Sequence, residues 1–432
     1  MRAWPTGGLW RHRDFLKLWS AETVSQFGTQ VSQLALPLVA ILVLDASAFE
    51  VAALATVEFL PFILFTLPAG VWVDRLPRRP ILIAGDFGRA ALLATIPVAY
   101  LTDALTLAQL FAVGFLVGTC TVFFDVAYMS YLPSLVKRDQ IIDGNSKLEI
   151  SRSAAQVGGP GFGGALVELF TAPYAVLVDA VSFLGSGLFV VRIHKHEDRA
   201  PSVSEGERPS MWTELKEGLR FVLSNPNLRA QAGCTGTSNF FSNVAFAIFL
   251  VFAVRELGLS PGVIGLVFSV GSAGSLLAAF SAIRVSRRLG IGPTTIAAGL
   301  LWGPTIFLVA FAPAGNAAIP FIAVAVFVGG LSIVTYNIVQ VSYRQAICPP
   351  RLQGRMNSVM RFIVWGTIPV GALVGGALGS WVGLRETIAI GGIGGSLAVL
   401  WIVFSPQRHL REMPEPIEDD AGTEELGSAL LT

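Results

Sequence analysis

The sequence predicts an all-α integral membrane protein with twelve transmembrane helices in two parallel six-helix repeats. Three observations carry this prediction. First, 53% of the 432 residues are hydrophobic and only 14% are charged, whereas soluble domains carry about 25% charged residues. Second, the chain contains twelve apolar runs, each about as long as the 20 residues that a membrane span needs. Third, a single sequence offset superimposes the first six runs on the last six.

The apolar runs predict helices, because an open strand edge would leave unpaired backbone groups in lipid. The basic N-terminus resembles a signal peptide, but the run that follows is too long and lacks a small-residue cleavage site, so we interpret it as a retained first span. The runs lie at 16–44, 50–73, 80–101, 107–131, 150–169, 173–193, 230–254, 261–284, 292–313, 318–341, 357–382 and 387–404.

The distribution of Lys and Arg predicts the orientation. With the N-terminus in the cytoplasm, the outer loops hold only Arg255 and Arg385, as the positive-inside rule requires. Both termini are then cytoplasmic, and the protein is predicted to lie in the plasma (inner) membrane. The basic residues on the inner side are Arg11, Arg13, Lys17, Arg75, Arg78, Arg79, Lys137, Arg138, Lys147, Arg284, Arg287, Arg288, Arg344, Arg351 and Arg355.

Polar segments divide the chain. We predict an N-terminal six-helix bundle at 1–193, a cytoplasmic linker at 194–229, a C-terminal bundle at 230–404 and an acidic, disordered cytoplasmic tail at 405–432. Within the linker, apolar residues at helical spacing predict an amphipathic helix on the membrane surface: Trp212, Leu215, Leu219 and Val222.

The internal repeat has an offset of 212 residues. It maps Arg75 onto Arg287 and Gly159 onto Gly371, and it carries every run of the first half onto one of the second without a gap. Parallel repeats related by an axis along the membrane normal are a known design of membrane transporters.

The segment GVWVDRLPRR at 70–79 resembles the signature loop of the major facilitator superfamily, G-x-x-x-D-R-x-x-R-R, although Pro77 stands where Gly is usual. The resemblance extends over essentially the whole chain and implies the fold of that superfamily. It also implies a conformational gate that latches the two halves in the outward-open state. Independently of the resemblance, the position of Asp125 near the cytoplasmic end of the fourth run makes it a candidate second acid for Arg75 or Arg78. The matching residues are Gly70, Asp74, Arg75, Arg78 and Arg79. Alternatively, the arginines are only positive-inside anchors.

A second motif lies in the fifth run. Gly159, Pro160, Gly163 and Gly164 match the G-P-x-x-G-G core of the superfamily's antiporter motif, and this resemblance implies export. Proline removes a backbone donor and glycines allow close helix approach, so a bendable, tightly packed helix is expected. Glycine-rich packing unrelated to export would leave the same pattern.

Several segments are similar to the drug:proton antiporter branch that includes macrolide-efflux and enterobactin-export proteins. They are VSQFGTQVSQLALPL, DFGRA, VDAVSF, ELKEGLRFVLSNPNLR and QGRMNSV. That branch often has an acid after the glycine of the first span, where this chain has Thr29, so the role of that acid is not transferred.

Ionisable residues inside spans are costly and indicate function by default. Glu58 lies about 12 Å into the second run at about 1.5 Å per residue, and we predict that it couples transport to protons, with Glu22 as second candidate. A neutral structural Glu58 is the competing interpretation. Asp86 and Arg89, at i and i+3, are expected to pair, and Asp179 is expected to be structural.

These observations favour a secondary active transporter that exports a small amphipathic molecule (a drug, antibiotic or siderophore-like metabolite) by proton antiport and alternating access. We predict a monomer whose partners are the substrate, protons and lipids. Nucleic acid is disfavoured by the net charge of +1. A proton-coupled importer and a transport-dead sensor stay open as alternatives. Aromatic and amide residues are predicted to line the cavity: Phe59, Phe62, Phe124, Tyr128, Phe240, Phe241, Tyr336 and Asn337.

No enzymatic activity, cofactor or metal site is expected. The sequence has no Walker A loop, no H-E-x-x-H and no G-x-S-x-G motif. Its four histidines lie in polar segments, where a solvated role is the simpler interpretation.

Overall fold

The computed structural model describes residues 8–137, 140–194 and 211–412, and every regular element in these ranges is helical. The first six helices are α1 (Arg13–Leu42), α2 (Ala48–Arg75), α3 (Arg78–Leu101), α4 (Leu107–Leu135), α5 (Ile141–Phe170) and α6 (Ala172–Val191). The remaining ones are α7 (Met211–Ser224), α8 (Pro226–Arg255), α9 (Pro261–Leu289), α10 (Ile291–Ala310), α11 (Ala318–Ile347), α12 (Pro350–Trp381), α13 (Leu384–Leu397) and α14 (Leu400–Val403).

Ten helical segments are long and apolar enough to cross a membrane within the described ranges, with α13 and α14 counted as one segment. The other two long helices, α1 and α5, have 30 residues each. They are more polar: α5 carries Asp143, Lys147, Glu149 and Arg152 in its first half and a glycine-rich stretch in its second. Twelve long helical segments thus stand where twelve spans are predicted, and two of them are polar.

The helices repeat with the predicted offset. Adding 212 to the first residues of α1, α4 and α6 (13, 107 and 172) gives 225, 319 and 384, and the corresponding helices α8, α11 and α13 begin at 226, 318 and 384. The prediction of two six-helix repeats is therefore confirmed at the level of the elements.

The chain forms two compact units. One contains the described residues up to 194 together with Leu250–Ser269, and the other contains 211–249 and 270–412. In the first unit, α1 packs against α5 and α6, and α3 packs against α4 and α6. The second unit includes α10 packed against α11 and α13. The sequence boundaries at 193, 230 and 404 stay a prediction.

Helix α7 lies within the predicted linker, and its place on the membrane surface stays a prediction. Of the predicted apolar face, Val222 is buried within the protein together with Phe221, whereas Leu219 is 42% exposed. The bare backbone at Gly218 rests on α12, because a Cβ there would lie 2.8 Å from the Arg355 carbonyl oxygen. Glu217 and Arg355 form an ion pair across this contact. The side chains of Trp212 and Leu215 lie outside the described part.

The fold extends past the predicted start of the tail. Residues Pro406–His409 form a short 3-10 helix, and Gln407 is fully buried. The Gly292 N–H donates to the Leu410 carbonyl at 2.9 Å, which attaches this segment to the start of α10. The predicted disorder of 413–432 falls outside the described residues.

Candidate functional site

Glu58 lies on α2, ten residues after the helix begins, which corresponds to about 15 Å along the axis. Its Oε1 atom is buried and has no hydrogen-bond partner among the described residues. Two glycines of α4 make room for it. A Cβ at Gly114 would lie 2.9 Å from the Glu58 Cγ, and one at Gly118 would lie 2.6 Å from the Glu58 carbonyl oxygen. The carboxyl group is therefore held in a tight seam between two helices.

A second group of charges surrounds Glu22 on α1. Glu22 is 8% exposed and accepts a hydrogen bond of 2.7 Å from the Gln26 side chain. It interacts electrostatically with Asp125, Arg89 and Asp86. Glu22 therefore has a hydrogen-bond partner, but two of its three charged neighbours are acids like itself. Glu58 differs in that its Oε1 has no hydrogen-bond partner among the described residues.

Asp86 and Arg89 pair as their spacing predicts. The Arg89 Nη2 lies 2.7 Å from the Asp86 Oδ1, and both side chains are buried. The Ser186 hydroxyl donates to the Asp86 Oδ2 at 2.8 Å. The Arg89 guanidinium lies 4.2 Å from the ring centre of Phe124 and 4.0 Å from that of Phe183. The pair thus joins α3 to α4 and α6, as expected for a structural role. Asp179 on α6 is also buried and accepts a hydrogen bond of 3.0 Å from Ser182.

The predicted gate residues lie where α2 ends and α3 begins. Gly70, Asp74 and Arg75 belong to the last turns of α2, but their side chains lie outside the described part. Arg78 opens α3. Arg79 donates to the carbonyls of Val190 and Val191, at 3.4 and 2.6 Å, which connects the loop to the end of α6.

Asp125, the predicted second acid of the gate, lies on α4 with an exposed side chain. It interacts electrostatically with Arg89 and Arg152. Arg89 belongs to the buried ion pair described above. Asp125 therefore interacts both with the charges around Glu22 and with Arg152 in the first half of α5.

The glycine motif makes α5 a helix with two close-packed faces. A Cβ at Gly159 would lie 2.4 Å from the Gln30 Cβ, and one at Gly163 would lie 3.1 Å from the Val31 Cα, so this face lies directly on α1. On the other face, a Cβ at Gly164 would lie 2.9 Å from the Gly265 Cα on α9. A side chain at Gly159 or Gly163 would push α5 away from α1, and one at Gly164 would push it away from α9.

Pro160 lies between these faces. A proline in a helix interior removes a backbone hydrogen bond and distorts the preceding turn. The N–H of the next residue, Gly161, donates to the Ser269 hydroxyl at 3.0 Å. Further along α5, the Glu168 carboxylate accepts the Gly262 N–H in the first turn of α9, a favourable position for an anion. The tight packing expected from the motif is present, and the bending of α5 stays a prediction.

The second unit contains a cavity of about 420 Å³ between α8, α11 and α12. That volume lies within the range of small-molecule sites, about 300–1,000 Å³. Fifteen of the described residues line it, including two arginines and no acid. They are Thr235, Ser238, Asn239, Ser242, Ile333, Tyr336, Asn337, Gln340, Val341, Arg344, Asn357, Met360, Arg361, Val364 and Trp365.

Hydrogen bonds connect polar side chains that line this cavity. The hydroxyls of Thr235 and Tyr336 lie 2.9 Å apart, and the Gln340 amide donates to the Asn337 side chain at 3.2 Å. Arg344 is 8% exposed. Its Nε atom and the Gln340 Oε1 have no hydrogen-bond partner in the part of the chain that the structure describes.

Of the residues predicted for the cavity wall, Tyr336 and Asn337 line this cavity, and Phe240 and Phe241 do not. The ring of Phe241 fills the space above Gly394 of α13.

Phe124 is 4% exposed and lies in the core, where its ring contacts the Arg89 guanidinium. Its position gives it a structural role, because the α3–α4 packing turns its ring inward. In the first unit, Phe59 stacks on Phe62 at 5.5 Å between ring centres, and Tyr128 stacks on Phe124 at 6.1 Å.

The sequence interpretation missed most of the polar lining, although a signal was present. On α8, residues 235, 238, 239 and 242 follow the i, i+3, i+4, i+7 spacing of one helix face. On α11, residues 336, 337, 340 and 344 continue the same kind of stripe through an apolar span. A polar stripe on a membrane helix indicates a wet or protein-facing side.

The helical architecture, its twofold repeat of six helices, the buried carboxyl and the ligand-sized cavity are those of a multi-pass membrane transporter. The chain belongs to the family described as "Transmembrane secretion effector" (MFS_3), which it matches over residues 8–421, and thus to the major facilitator transporters. Family and fold are those of transporters and not of enzymes.

Known proteins resemble the chain over most of its length. The multidrug efflux pump Tap of Mycolicibacterium fortuitum is 28% identical over 379 residues, covering 85% of this chain and 90% of the pump. The uncharacterized MFS-type transporter YvqJ of Bacillus subtilis (strain 168) is 23% identical over 350 residues, covering 80% of this chain and 81% of that protein.

A solved structure of a bacterial homologue of the iron transporter ferroportin, in an inward-facing state, superimposes with a TM-score of 0.73. The alignment covers 92% of this chain and 99% of that chain at 18% identity, which establishes the shared fold.

Proposed function

We propose that the protein exports a small amphipathic molecule across the plasma membrane in exchange for protons, with both termini in the cytoplasm. Efflux is supported by the likeness to the multidrug efflux pump Tap and by the glycine and proline contacts of α5. Alternating access is the mode of transport that two repeated helix bundles support. In this proposal Asp74, Arg75, Arg78, Arg79 and Asp125 act as the conformational gate.

The coupling proposal rests on the environment of Glu58. A buried carboxylate without a compensating partner is costly, so the protonated form is favoured while the seam between α2 and α4 is closed. If the seam hydrates when the transporter changes conformation, the same carboxyl releases its proton. One acid can then carry a proton in one direction per cycle while substrate moves in the other.

The test replaces Glu58 with glutamine, which has the shape of the protonated acid but cannot release a proton. In proteoliposomes with an imposed pH gradient, we expect Glu58→Gln to bind substrate and to lose pH-driven transport. Glu50→Gln is the matched control. Glu50 lies on the same helix but closes its capping box, where its carboxylate accepts the Ser47 N–H at 2.7 Å. It should transport like the wild type.

The cellular version of the test also decides direction. Cells that express the wild type should accumulate less of a hydrophobic dye or antibiotic, and a protonophore should erase the difference. Full pH-dependent efflux by Glu58→Gln would move the coupling site elsewhere, with Glu22 next. If cells that express the protein accumulate more of the dye or antibiotic, the exporter proposal is wrong and the importer alternative takes its place.

A further inference from the structure

Arg344 is a buried cation at a cavity wall, and no carboxylate of the described residues lines that cavity. Its side chain is 8% exposed, its Nε has no hydrogen-bond partner within the described ranges, and no ion pair in those ranges involves it. Its electrostatic neighbour is the hydroxyl of Tyr336. A guanidinium cannot shed its charge as a lysine can. An uncompensated buried charge of this kind is costly unless a counter-charge arrives.

A second arginine lies on the same cavity. Arg361 on α12 is exposed, and its guanidinium lies 5.1 Å from the ring centre of Trp365. Stacking on an aromatic ring leaves the edge of the guanidinium, with its N–H donors, available to a ligand. With no acid among the lining residues, the two arginines give the cavity a positive potential that disfavours cations and favours anions.

The remaining lining suits the rest of an amphipathic molecule. Tyr336, Trp365, Ile333, Val341, Val364 and Met360 supply apolar surface. The amides of Asn337, Gln340 and Asn357 can fix the orientation of polar groups. The site therefore combines an anion-binding end with an apolar body.

We propose that this cavity binds an amphipathic organic anion, with a carboxylate, sulfonate or phosphate group held by Arg344 and Arg361. This names the substrate class of the exporter and rests on the proposed function. Arg344 supplies the buried contact and Arg361 the exposed one. The sequence interpretation assigned neither residue to the substrate.

Binding of two fluorescent probes tests the proposal without any pH gradient. 8-Anilino-1-naphthalenesulfonate carries a sulfonate, and N-phenyl-1-naphthylamine has the same ring framework without it. Both are titrated against protein in phosphatidylcholine nanodiscs, and the signal of empty nanodiscs is subtracted. We expect the wild type to bind the sulfonate about tenfold or more tightly than the neutral probe, because charge-assisted hydrogen bonds outweigh the cost of desolvating the anion.

The variants assign the effect to this cavity. Arg344→Gln should weaken sulfonate binding by about 10- to 100-fold and leave the neutral probe unchanged, whereas Arg344→Lys should keep most of the affinity. Arg288→Gln removes one exposed arginine at the end of α9, outside the cavity, and should match the wild type. If Arg344→Gln does not fold, Arg361→Gln provides the same comparison at an exposed position.

The proposal is wrong if the wild type binds the two probes with equal affinity. It is also wrong if Arg344→Gln and Arg361→Gln both bind the sulfonate as tightly as the wild type. A second set of nanodiscs containing phosphatidylglycerol separates lipid from free substrate. Loss of sulfonate binding by the wild type there, after subtraction of empty nanodiscs of the same composition, would identify a lipid headgroup as the ligand of the arginines and overturn the substrate assignment. If the arginine variants lose sulfonate binding but the wild type shows no pH-driven transport, the proposed proton coupling is refuted and this inference still holds.

Discussion

Single residues show which contacts sequence spacing can predict. The i, i+3 spacing of Asp86 and Arg89 was sufficient to predict their ion pair, because both lie on one turn of one helix. Arg89 lies between the rings of Phe124 and Phe183. These two rings belong to two other helices, and their positions follow no local sequence pattern. Local chemistry is therefore readable from the sequence, whereas the surroundings that decide a residue's role are set by packing.

The gate hypothesis is tested at the residue scale. Asp74→Asn and Arg75→Ala should each abolish transport, because removing one member of a charge latch shifts the balance between conformations, while expression and thermal stability stay near wild type. Arg287→Ala is the matched control, since Arg287 is the repeat counterpart of Arg75 in a loop that has Ser286 in place of the acid. Efflux assays in proteoliposomes provide the measurement. Wild-type rates in both gate variants would leave the loop as a topology anchor.

At the element scale, glycines set the distances between helices. The repeat extends to these contacts: Gly163 of α5 lies on Val31 of α1, and Gly375 of α12 lies on Val244 of α8, where a Cβ would be 2.2 Å from the carbonyl oxygen. The offset of 212 relates the two glycines, and it places Val31 one residue from Val244. Helix packing is thus duplicated along with the sequence pattern.

The seam between α2 and α4 gives a graded prediction. Gly118→Ala places a methyl group 2.6 Å from the backbone oxygen of Glu58, so the helices must separate, and we expect a loss of about 1–3 kcal/mol in stability with reduced efflux. Gly114→Ala meets side chains and no backbone atom: the Glu58 Cγ at 2.9 Å and, in ordinary contact, the Leu54 Cδ1 at 3.6 Å. It should cost less stability but alter the pH dependence of efflux. Thermal unfolding and pH-dependent transport measure the two effects.

The control for this series is Gly366→Ala on α12, where nothing lies within 4 Å of the added methyl group. Alanine favours helices over glycine by about 1 kcal/mol, so this variant should be neutral or slightly more stable. If Gly118→Ala, Gly114→Ala and Gly366→Ala show the same thermal stability and the same pH-dependent efflux, the close approach of α2 and α4 does not contribute to transport.

For the whole molecule, the sequence could predict the number, order and repeat of the helices, because these depend on apolar length and on an offset within one chain. It could not predict the cavity at Arg344. That cavity needs α8 beside α11 and α12, which follow it only after two other helices. The polar stripes on α8 and α11 indicate a wet face, but they do not show what the faces enclose. The buried position of Phe124 follows from packing of the same kind.

The charge bias that orients the whole chain has two exceptions, and the structure explains both. Arg255 pairs with Asp45 at 2.6 Å, in the loop before α2. Arg385 donates to the carbonyls of Ala310 and Ala312 at the end of α10, at 2.6 and 3.0 Å, where a cation is favourable. These local uses account for two arginines on the outer side, so the remaining bias still predicts cytoplasmic termini.

The orientation is tested by labelling single cysteines in intact cells, in a background where Cys120, Cys234 and Cys348 are replaced. Ala104 and Ala314 are exposed loop positions predicted to lie outside. They are better sites than Gly258 and Gly315, whose φ angles of 65° and 73° would be strained by a side chain. A membrane-impermeant maleimide should label Ala104→Cys and Ala314→Cys in sealed cells. Glu205→Cys and Asp420→Cys should react only after permeabilisation, because the linker and the tail are cytoplasmic in this topology. The opposite pattern would invert the orientation, and with it the direction of transport assigned to the chain.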